Sequence, residues 1–250
     1  MDAVLPKTGC CGFRLAKAVY AERFPVVEVQ ETFYQPPKIA TLRRWREAVP
    51  KDFEFTLKAW QVITHAATSP TYGRLRTKFS AEELAECGSF QSTPVVESAW
   101  QTTRACAEAL AARRVLFQCP ASFTPTLDHQ EQMRDFFSHL KRNELTLLWE
   151  PRGNWPESVV KSLCEELNLI HVVDPFLTRT VTPDFIYFRL HGGKDFKHAY
   201  SQTQLHRLLG MLPPDKPSYV MFNNINMVED ASRFQELAAP LQFVREFEFK

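Results

Sequence analysis

The sequence predicts an α/β protein, a single (β/α)8 TIM-type barrel with a long insertion after strand three. Short apolar, β-branched or aromatic runs alternate with longer helical patterns, as parallel strands alternate with crossover helices. The chain has 250 residues, which is about what such a barrel uses as one domain. Eight runs with about as many helical stretches fit a barrel better than an open sheet. We therefore expect one domain over residues 1–250.

The runs and the stretches between them define the expected elements. The predicted strands are Lys7–Phe13, Val26–Tyr34, Phe53–Trp60, Val115–Pro120, Thr146–Arg152, Leu169–Pro175, Phe185–Gly192 and Ser218–Asn224. The predicted helices are Leu15–Phe24, Ala40–Ala48, Trp100–Arg113, Thr126–Lys141, Pro156–Leu167, Thr203–Leu209 and Glu229–Leu237. Residues such as Thr126 and Pro156 commonly begin helices. The connection from His65 to Trp100 interrupts the alternation, and connections of this size are usually lids or binding elements.

Composition excludes several classes of protein. Thirty Lys and Arg against twenty-nine Asp and Glu leave a formal charge of +1, which argues against nucleic-acid binding by bulk charge while leaving a local basic patch open. No apolar run approaches the roughly 18 to 20 residues of a membrane span, and the first residues lack a secretory signal. The six cysteines do not have the spacing of a zinc site, and we interpret most of them as reduced, buried thiols. Cys10 is the one exception that we single out. We expect a cytoplasmic protein without a membrane partner.

Polar side chains stand near the carboxyl ends of the predicted strands, where the active sites of barrels are built. On the second strand, Glu28, Gln30 and Thr32 share one face. The later strands and the loops that follow them supply Lys58, His65, Gln118, Glu150, Arg152, Trp155, Asp174, Arg189, His191, Asn223 and Asn224. Burying so many charges without a partner would cost several kcal/mol each. A functional pocket is favoured over the alternative of a purely structural network of neutralising charges.

Each residue type suggests a role in such a pocket. Glu28, Glu150, Asp174 and His191 are the candidate catalytic residues, because carboxyl groups and imidazoles move protons. They are also the candidate ligands for a divalent metal, which is an open question from the sequence. The candidate substrate-binding residues are Lys58, His65, Gln118, Arg152, Trp155, Arg189, Asn223 and Asn224. Among these, the arginines suit a phosphate or carboxylate group through their planar fork of donors.

The segment Val27–Tyr34, which reads V-E-V-Q-E-T-F-Y, resembles the YecE-like family, also called domain of unknown function 72, whose pattern there is V-E-V-N-S-T-F-Y. The resemblance continues in order through Ile63-Thr64-His65, Glu150 with Arg152 and Trp155, Val173-Asp174, Arg189-Leu190-His191-Gly192 and Phe222-Asn223-Asn224. Gln30, Glu31 and the pair Cys10-Cys11 depart from the family pattern. The resemblance implies a TIM-type barrel distantly similar to sugar isomerases and endonuclease IV-like enzymes, and it implies no established reaction.

Three functions follow from these observations as hypotheses. The first is an enzyme, a hydrolase, lyase or isomerase, that acts on a small polar or phosphorylated, sugar-like substrate by carboxylate-assisted acid/base chemistry. The second is a metal-dependent phosphodiesterase on damaged DNA, by analogy with the endonuclease IV-like relatives that the resemblance implies. The third is a noncatalytic module that binds a small polar or anionic ligand. Nucleic acid is not the favoured partner, because the net charge is near zero.

Overall fold

Eight parallel strands close into a barrel in chain order in the computed structural model, which describes residues 4–193 and 196–239. The strands are β1 (Lys7–Cys11), β2 (Val26–Val29), β3 (Glu54–Lys58), β4 (Arg114–Gln118), β5 (Thr146–Glu150), β6 (Ile170–Val173), β7 (Ile186–Leu190) and β8 (Ser218–Phe222). The predicted fold class is confirmed. The alternation of strand-like and helix-like segments was therefore sufficient to identify the architecture.

Helices alternate with these strands. They are α1 (Lys17–Arg23), α2 (Glu31–Tyr34), α3 (Ile39–Glu47), α4 (Gln61–Thr64), α5 (Ala81–Ala85), α6 (Pro94–Leu110), α7 (Leu127–His139), α8 (Glu157–Leu167), α9 (Gln202–Leu209) and α10 (Met227–Ala238), with a 3-10 helix at Pro70–Arg74. Thr126 caps α7 as predicted, accepting a hydrogen bond from the backbone N–H of His129. Among the described residues, no helix is both long enough and apolar enough to cross a membrane.

The chain divides into two compact units. Unit 1 comprises the described residues of Met1–Glu28, Pro50–Phe53 and Val172–Lys250, and unit 2 comprises Val29–Val49 and Glu54–His171. The prediction of a single domain over residues 1–250 stays a prediction.

In both units, alternate residues of a strand face opposite sides of the sheet. In unit 2, Phe117 of β4 packs against Phe137 of α7, with their ring centroids 5.1 Å apart, so Phe117 faces the helices. Its neighbour Gln118 therefore faces the barrel interior, as does Glu150, which is its register partner on β5. In unit 1, Arg189 of β7 contacts Glu28 of β2 on the interior side. Gln118, Glu150, Glu28 and Arg189 thus face the barrel interior.

The second strand is shorter than predicted, and this corrects one interpretation. β2 ends at Val29, and the chain turns into α2, so Gln30 and Thr32 do not continue the strand face that begins with Glu28. The Thr32 hydroxyl donates to the backbone carbonyls of Lys58, at 2.7 Å, and of Val29, at 3.2 Å. These bonds give the polar side chain an alternative to the strand. Thr32 is therefore an anchor between the end of β2 and the end of β3.

The segment after β3 is largely folded, and the predicted long insertion is not confirmed. It contains α4, the 3-10 helix and α5, and α6 begins at Pro94 rather than near Trp100. The Thr93 side chain accepts from the N–H of Val96 and Pro94 occupies the first turn, a common signature of a helix start. The backbone N–H groups of Gly88 and Phe90 donate to the carbonyls of Val62 and Ile63, which ties the segment back onto α4.

Candidate functional site

A buried charge network lies in unit 1. Arg189 Nη2 lies 2.9 Å from Glu28 Oε1, and the side chains of these two residues are 1% and 0% exposed. The Tyr187 hydroxyl donates to Glu28 Oε2 at 2.8 Å, and Arg189 Nη2 also donates to Cys11 Sγ at 3.7 Å. Burial raises the pKa of the Cys11 thiol well above its usual range, with a smaller contribution from Glu28. Because Glu28 has no exposed surface, this geometry favours electrostatic support over direct substrate contact.

Beyond this network, the ends of β7 and β8 hold a histidine in a defined orientation. Asp174 Oδ2 accepts from the His191 backbone N–H at 3.1 Å, and Asp174 Oδ1 accepts from the backbone N–H of Phe176 at 3.1 Å. The Asn223 amide donates to His191 Nδ1 at 3.1 Å, which places the proton of a neutral ring on Nε2. Asp174 thus orders the backbone, while the Asn223 amide orients the His191 ring.

Asn224 has a different role from its neighbour. It is buried, and its amide nitrogen donates to Asp230 Oδ2 at 2.6 Å and to the His198 carbonyl at 2.8 Å. Asp230 also accepts from the Tyr200 backbone N–H and from Arg233. These contacts favour a loop-anchoring role for Asn224 over substrate binding. The sequence did not identify Asp230 as the centre of this network, because an acid in the first turn of a helix is an ordinary helix-start feature.

A partly exposed ion pair stands at the end of β5 in unit 2. Arg152 Nε lies 3.2 Å from Glu150 Oε1, and the side chains of Arg152 and Glu150 are 30% and 4% exposed. Gln118 is the register partner of Glu150 on β4. The Trp155 ring packs edge-on against Trp149, with centroids 5.1 Å apart, and its Nε1–H donates to the Phe123 carbonyl at 2.9 Å. Glu150 is therefore a buried carboxylate whose arginine partner reaches solvent.

His171 is a further titratable residue of unit 2 that sequence reasoning missed. It lies on β6, opposite Trp149 in the strand register, and it is buried. Burial lowers the pKa of His171 to about 4, and the Glu150 carboxylate opposes this shift in part. The imidazole is consequently neutral at pH 7. A lone histidine in an otherwise apolar strand gave no signal of its nearness to Glu150.

Lys58 and His65 both contact the Phe33 ring in unit 2. Lys58 Nζ lies 3.8 Å from the ring centroid, and the His65 ring meets it edge-on with centroids 4.9 Å apart. His65 Nδ1 also shares a 2.8 Å hydrogen bond with the Thr64 hydroxyl. Burial, and to a smaller extent the Lys58 charge, lowers the pKa of His65 to about 3. His65 is therefore a neutral hydrogen-bonding group beside a buried cation.

The candidate metal ligands do not assemble into an evident ion-binding group. Within residues 4–193 and 196–239, no three His, Cys, Asp or Glu side chains are grouped so that they could hold a metal ion. Glu28, Glu150, Asp174 and His191 instead take the separate partners described above. All six cysteines are free and buried, and burial raises the pKa of Cys10 to about 12, so its thiol is not a reactive thiolate at neutral pH.

Comparison with known proteins gives a family and a fold. A family model described as "Protein of unknown function DUF72" matches residues 14–246. A DUF72 family protein from Enterococcus faecalis has 20% sequence identity and a TM-score of 0.71, over 94% of this chain and 96% of its own. A second DUF72 protein, from Thermotoga maritima, has 21% identity and a TM-score of 0.66, over 94% of this chain and 100% of its own.

More distant similarity extends to a sugar enzyme. A D-psicose 3-epimerase, solved in the presence of D-fructose, has 11% identity and a TM-score of 0.58, over 96% of this chain and 98% of its own. A search among curated proteins finds no match. At these levels of identity the solved structures establish the barrel fold alone.

Proposed function

Because this chain belongs to the family described as a protein of unknown function, DUF72, we propose a function from its own side chains. It is an enzyme that acts on a small polar or phosphorylated, sugar-like substrate. The reaction is carboxylate-assisted acid/base chemistry at the carboxyl ends of the barrel strands, of the kind that hydrolases, lyases and isomerases use.

The Glu150–Arg152 pair is the observation that carries this proposal. An arginine partner stabilises the ionised form of a carboxylate, which is the form that can accept a proton from a substrate. Arg152 is 30% exposed, so its guanidinium can also reach a ligand in solvent. A guanidinium binds carboxylate and phosphate groups through parallel hydrogen bonds. Glu150 is accordingly the proposed proton acceptor, and Arg152 is the proposed anion-binding group.

Neighbouring groups of unit 2 suit the same class of substrate. Trp155 is proposed as an aromatic ring against which a sugar packs, and Gln118 stands beside Glu150 as a neutral hydrogen-bonding side chain. The fold similarity to a D-psicose 3-epimerase supports a sugar-like ligand. His65 and Lys58, on the shared Phe33 ring, are proposed as further ligand-binding groups.

In unit 1, His191 is the proposed proton-transfer residue, since Asn223 orients its ring. Arg189, Glu28 and Asp174 are proposed to support this end of the barrel by charge and by backbone hydrogen bonds. The alternative of a metal-dependent phosphodiesterase needs metal ligands that cluster around shared ions. No observation on the described residues favours that alternative.

Proton exchange tests the proposal even though the product is unidentified. The protein is incubated in D2O with a panel of free and phosphorylated aldoses and ketoses, and proton NMR follows the loss of carbon-bound protons and the appearance of new isomers or cleavage products. We expect turnover of at least one panel member. Glu150→Gln removes the proton acceptor and should lower that rate by at least about 100-fold, the typical contribution of a general base.

The matched control is Glu54→Gln. Glu54 pairs with Arg114 at 3.0 Å in the same unit, but it lies at the first residue of β3, at the opposite end of the strands. This variant should keep the wild-type rate. Absence of turnover with every panel member, or an equal loss of rate in both variants, would contradict the proposal.

A further inference from the structure

The connection between β6 and β7 differs from the others in the barrel. Each of the other strands is followed by at least one helix, as expected of this fold, whereas residues 174–185 contain none. The N–H groups of Leu177 and Thr178 donate to the Asp174 carbonyl, so the connection begins as a turn. Pro175 and Pro183 lack the N–H that a helix interior uses. The outer side of this part of the barrel therefore lacks its usual helical cover.

A groove of about 570 Å³ occupies this position in unit 1. Its floor includes Ile186 and Phe188, which alternate along β7 with the interior residues Tyr187 and Arg189 and so face outward. Met211, which follows the end of α9, contributes to its wall. This volume lies in the range of small-molecule sites, about 300–1,000 Å³. The groove is thus an apolar site on the face of β7 opposite the charge network.

The polar part of the groove is positively charged. Arg179, from the connection, and Arg207, from α9, both line it and both are exposed. The described lining residues include no acid. Asp184, on the same connection, pairs instead with Lys216 at 3.0 Å. Arg207 also lies over the Phe176 ring, 5.8 Å from its centroid, which limits the positions of its guanidinium.

We propose that this groove binds a small anionic amphiphile, meaning a carboxylate or phosphate group carried on a short apolar chain. The apolar floor would bury the chain, and the two guanidinium groups would bind the anion. A small molecule suits the groove because its volume matches that of compact ligand pockets. This inference is independent of the proposed catalytic function, since the groove uses none of the residues assigned to it.

Calorimetric titration tests the groove with four probes of one chain length: octanoate, octyl phosphate, octanol and octylamine, each below its aggregation threshold. We expect saturable 1:1 binding of an anionic probe, at least tenfold tighter than that of octanol and of octylamine. Comparison of octanoate with octyl phosphate identifies the preferred anion. The double variant Arg179→Gln/Arg207→Gln should weaken anion binding at least tenfold, and both substitutions are at exposed positions.

The control carries the same change in net charge elsewhere. Arg43 and Arg44 are exposed on α3 in unit 2, and Arg43→Gln/Arg44→Gln should leave binding unchanged. Three results would overturn the proposal: no saturable binding of either anion, octanol binding as tightly as the anions, or equal weakening in the two double variants. Because no result depends on turnover, the outcome is separate from that of the proton-exchange experiment.

Discussion

Arg189 matters at the residue scale because it is the charged partner of a carboxylate that water does not reach. Substitution by methionine keeps much of the side-chain volume but removes the positive charge that faces the buried Glu28 carboxylate. Breaking a buried ion pair on one side typically costs about 3–5 kcal/mol. We expect Arg189→Met to lower the free energy of unfolding by about that amount, as measured by urea denaturation.

The exposed pair Arg134–Glu166 supplies the comparison. Its atoms are 2.9 Å apart, as in the buried pair, but the side chains are 38% and 45% exposed. Exposed pairs contribute about 0–1 kcal/mol, so Arg134→Met should have a correspondingly small effect. Similar losses in the two variants would show that the Glu28–Arg189 contact does not stabilise the fold through burial of charge.

At the same scale, the sequence predicted which side chains end the strands but not what each contacts. Glu28 and Arg189 could be predicted to face inward from the period of two along their strands. The hydrogen bond from the Tyr187 hydroxyl to Glu28 joins two residues 159 positions apart in the sequence, and no local pattern encodes such a contact. Asn223 and Asn224 are adjacent in sequence, yet one orients His191 and the other anchors Asp230, because neighbouring side chains point in different directions. Residue type alone therefore did not separate ligand-binding candidates from anchors.

At the scale of elements, the turn after β7 rests on two glycines with positive φ. Gly192 has φ +68°, and a Cβ there would lie 2.5 Å from Asn224 Cβ. Gly193 has φ +79°, but a Cβ there would meet no atom of the described residues within 4 Å. Both alanine substitutions carry the cost of the left-handed backbone, about 1–2 kcal/mol. Gly192→Ala also forces Asn224 to move, which adds about 1–3 kcal/mol.

We therefore expect Gly192→Ala to lower the free energy of unfolding clearly more than Gly193→Ala. Chemical denaturation of the two variants beside the wild type measures the difference. If the two variants lost the same free energy of unfolding, the close approach of Gly192 to Asn224 would not contribute to stability. The left-handed backbone conformation alone would then account for the cost of both substitutions.

Element boundaries show where local patterns stop being informative. The run Val26–Tyr34 has strand-like composition throughout, but its second half forms α2, since the Thr32 hydroxyl bonds to the carbonyls at the ends of β2 and β3. Helix α6 begins earlier than predicted, although Thr93-Pro94 carries a recognisable helix-start pattern. Residues 174–185, between the sixth and seventh strands, contain no helix.

At the scale of the whole molecule, the fold was predictable because it depends on many weak signals that agree. Eight strands with intervening helices in 250 residues leave few alternatives to a barrel. Function has no such redundancy, since one fold hosts many reactions. A small number of side chains, such as Glu150 and Arg152, must therefore carry the functional argument.

Stability should depend on pH because two histidines are buried in neutral form. The pKa of His65 is lowered to about 3 and that of His171 to about 4, from 6.5, mainly by burial. As pH falls through 6.5, the unfolded chain binds protons that the folded chain does not, so acid favours unfolding. Each histidine then costs about 1.4 kcal/mol per pH unit until its folded pKa is reached. At pH 5 the two together should lower the free energy of unfolding by about 4 kcal/mol relative to pH 7.5.

Urea denaturation at pH 7.5 and pH 5 separates these contributions. His65→Gln and His171→Gln should each reduce the difference between the two pH values by about 2 kcal/mol, because glutamine does not titrate. His206→Gln replaces an exposed histidine on α9 and should leave that difference unchanged. A wild-type protein equally stable at both pH values would mean that both imidazoles take up protons without unfolding, which their buried positions oppose. If the free energy of unfolding changes between pH 7.5 and pH 5 as much in His65→Gln and His171→Gln as in the wild type, other groups cause the acid sensitivity.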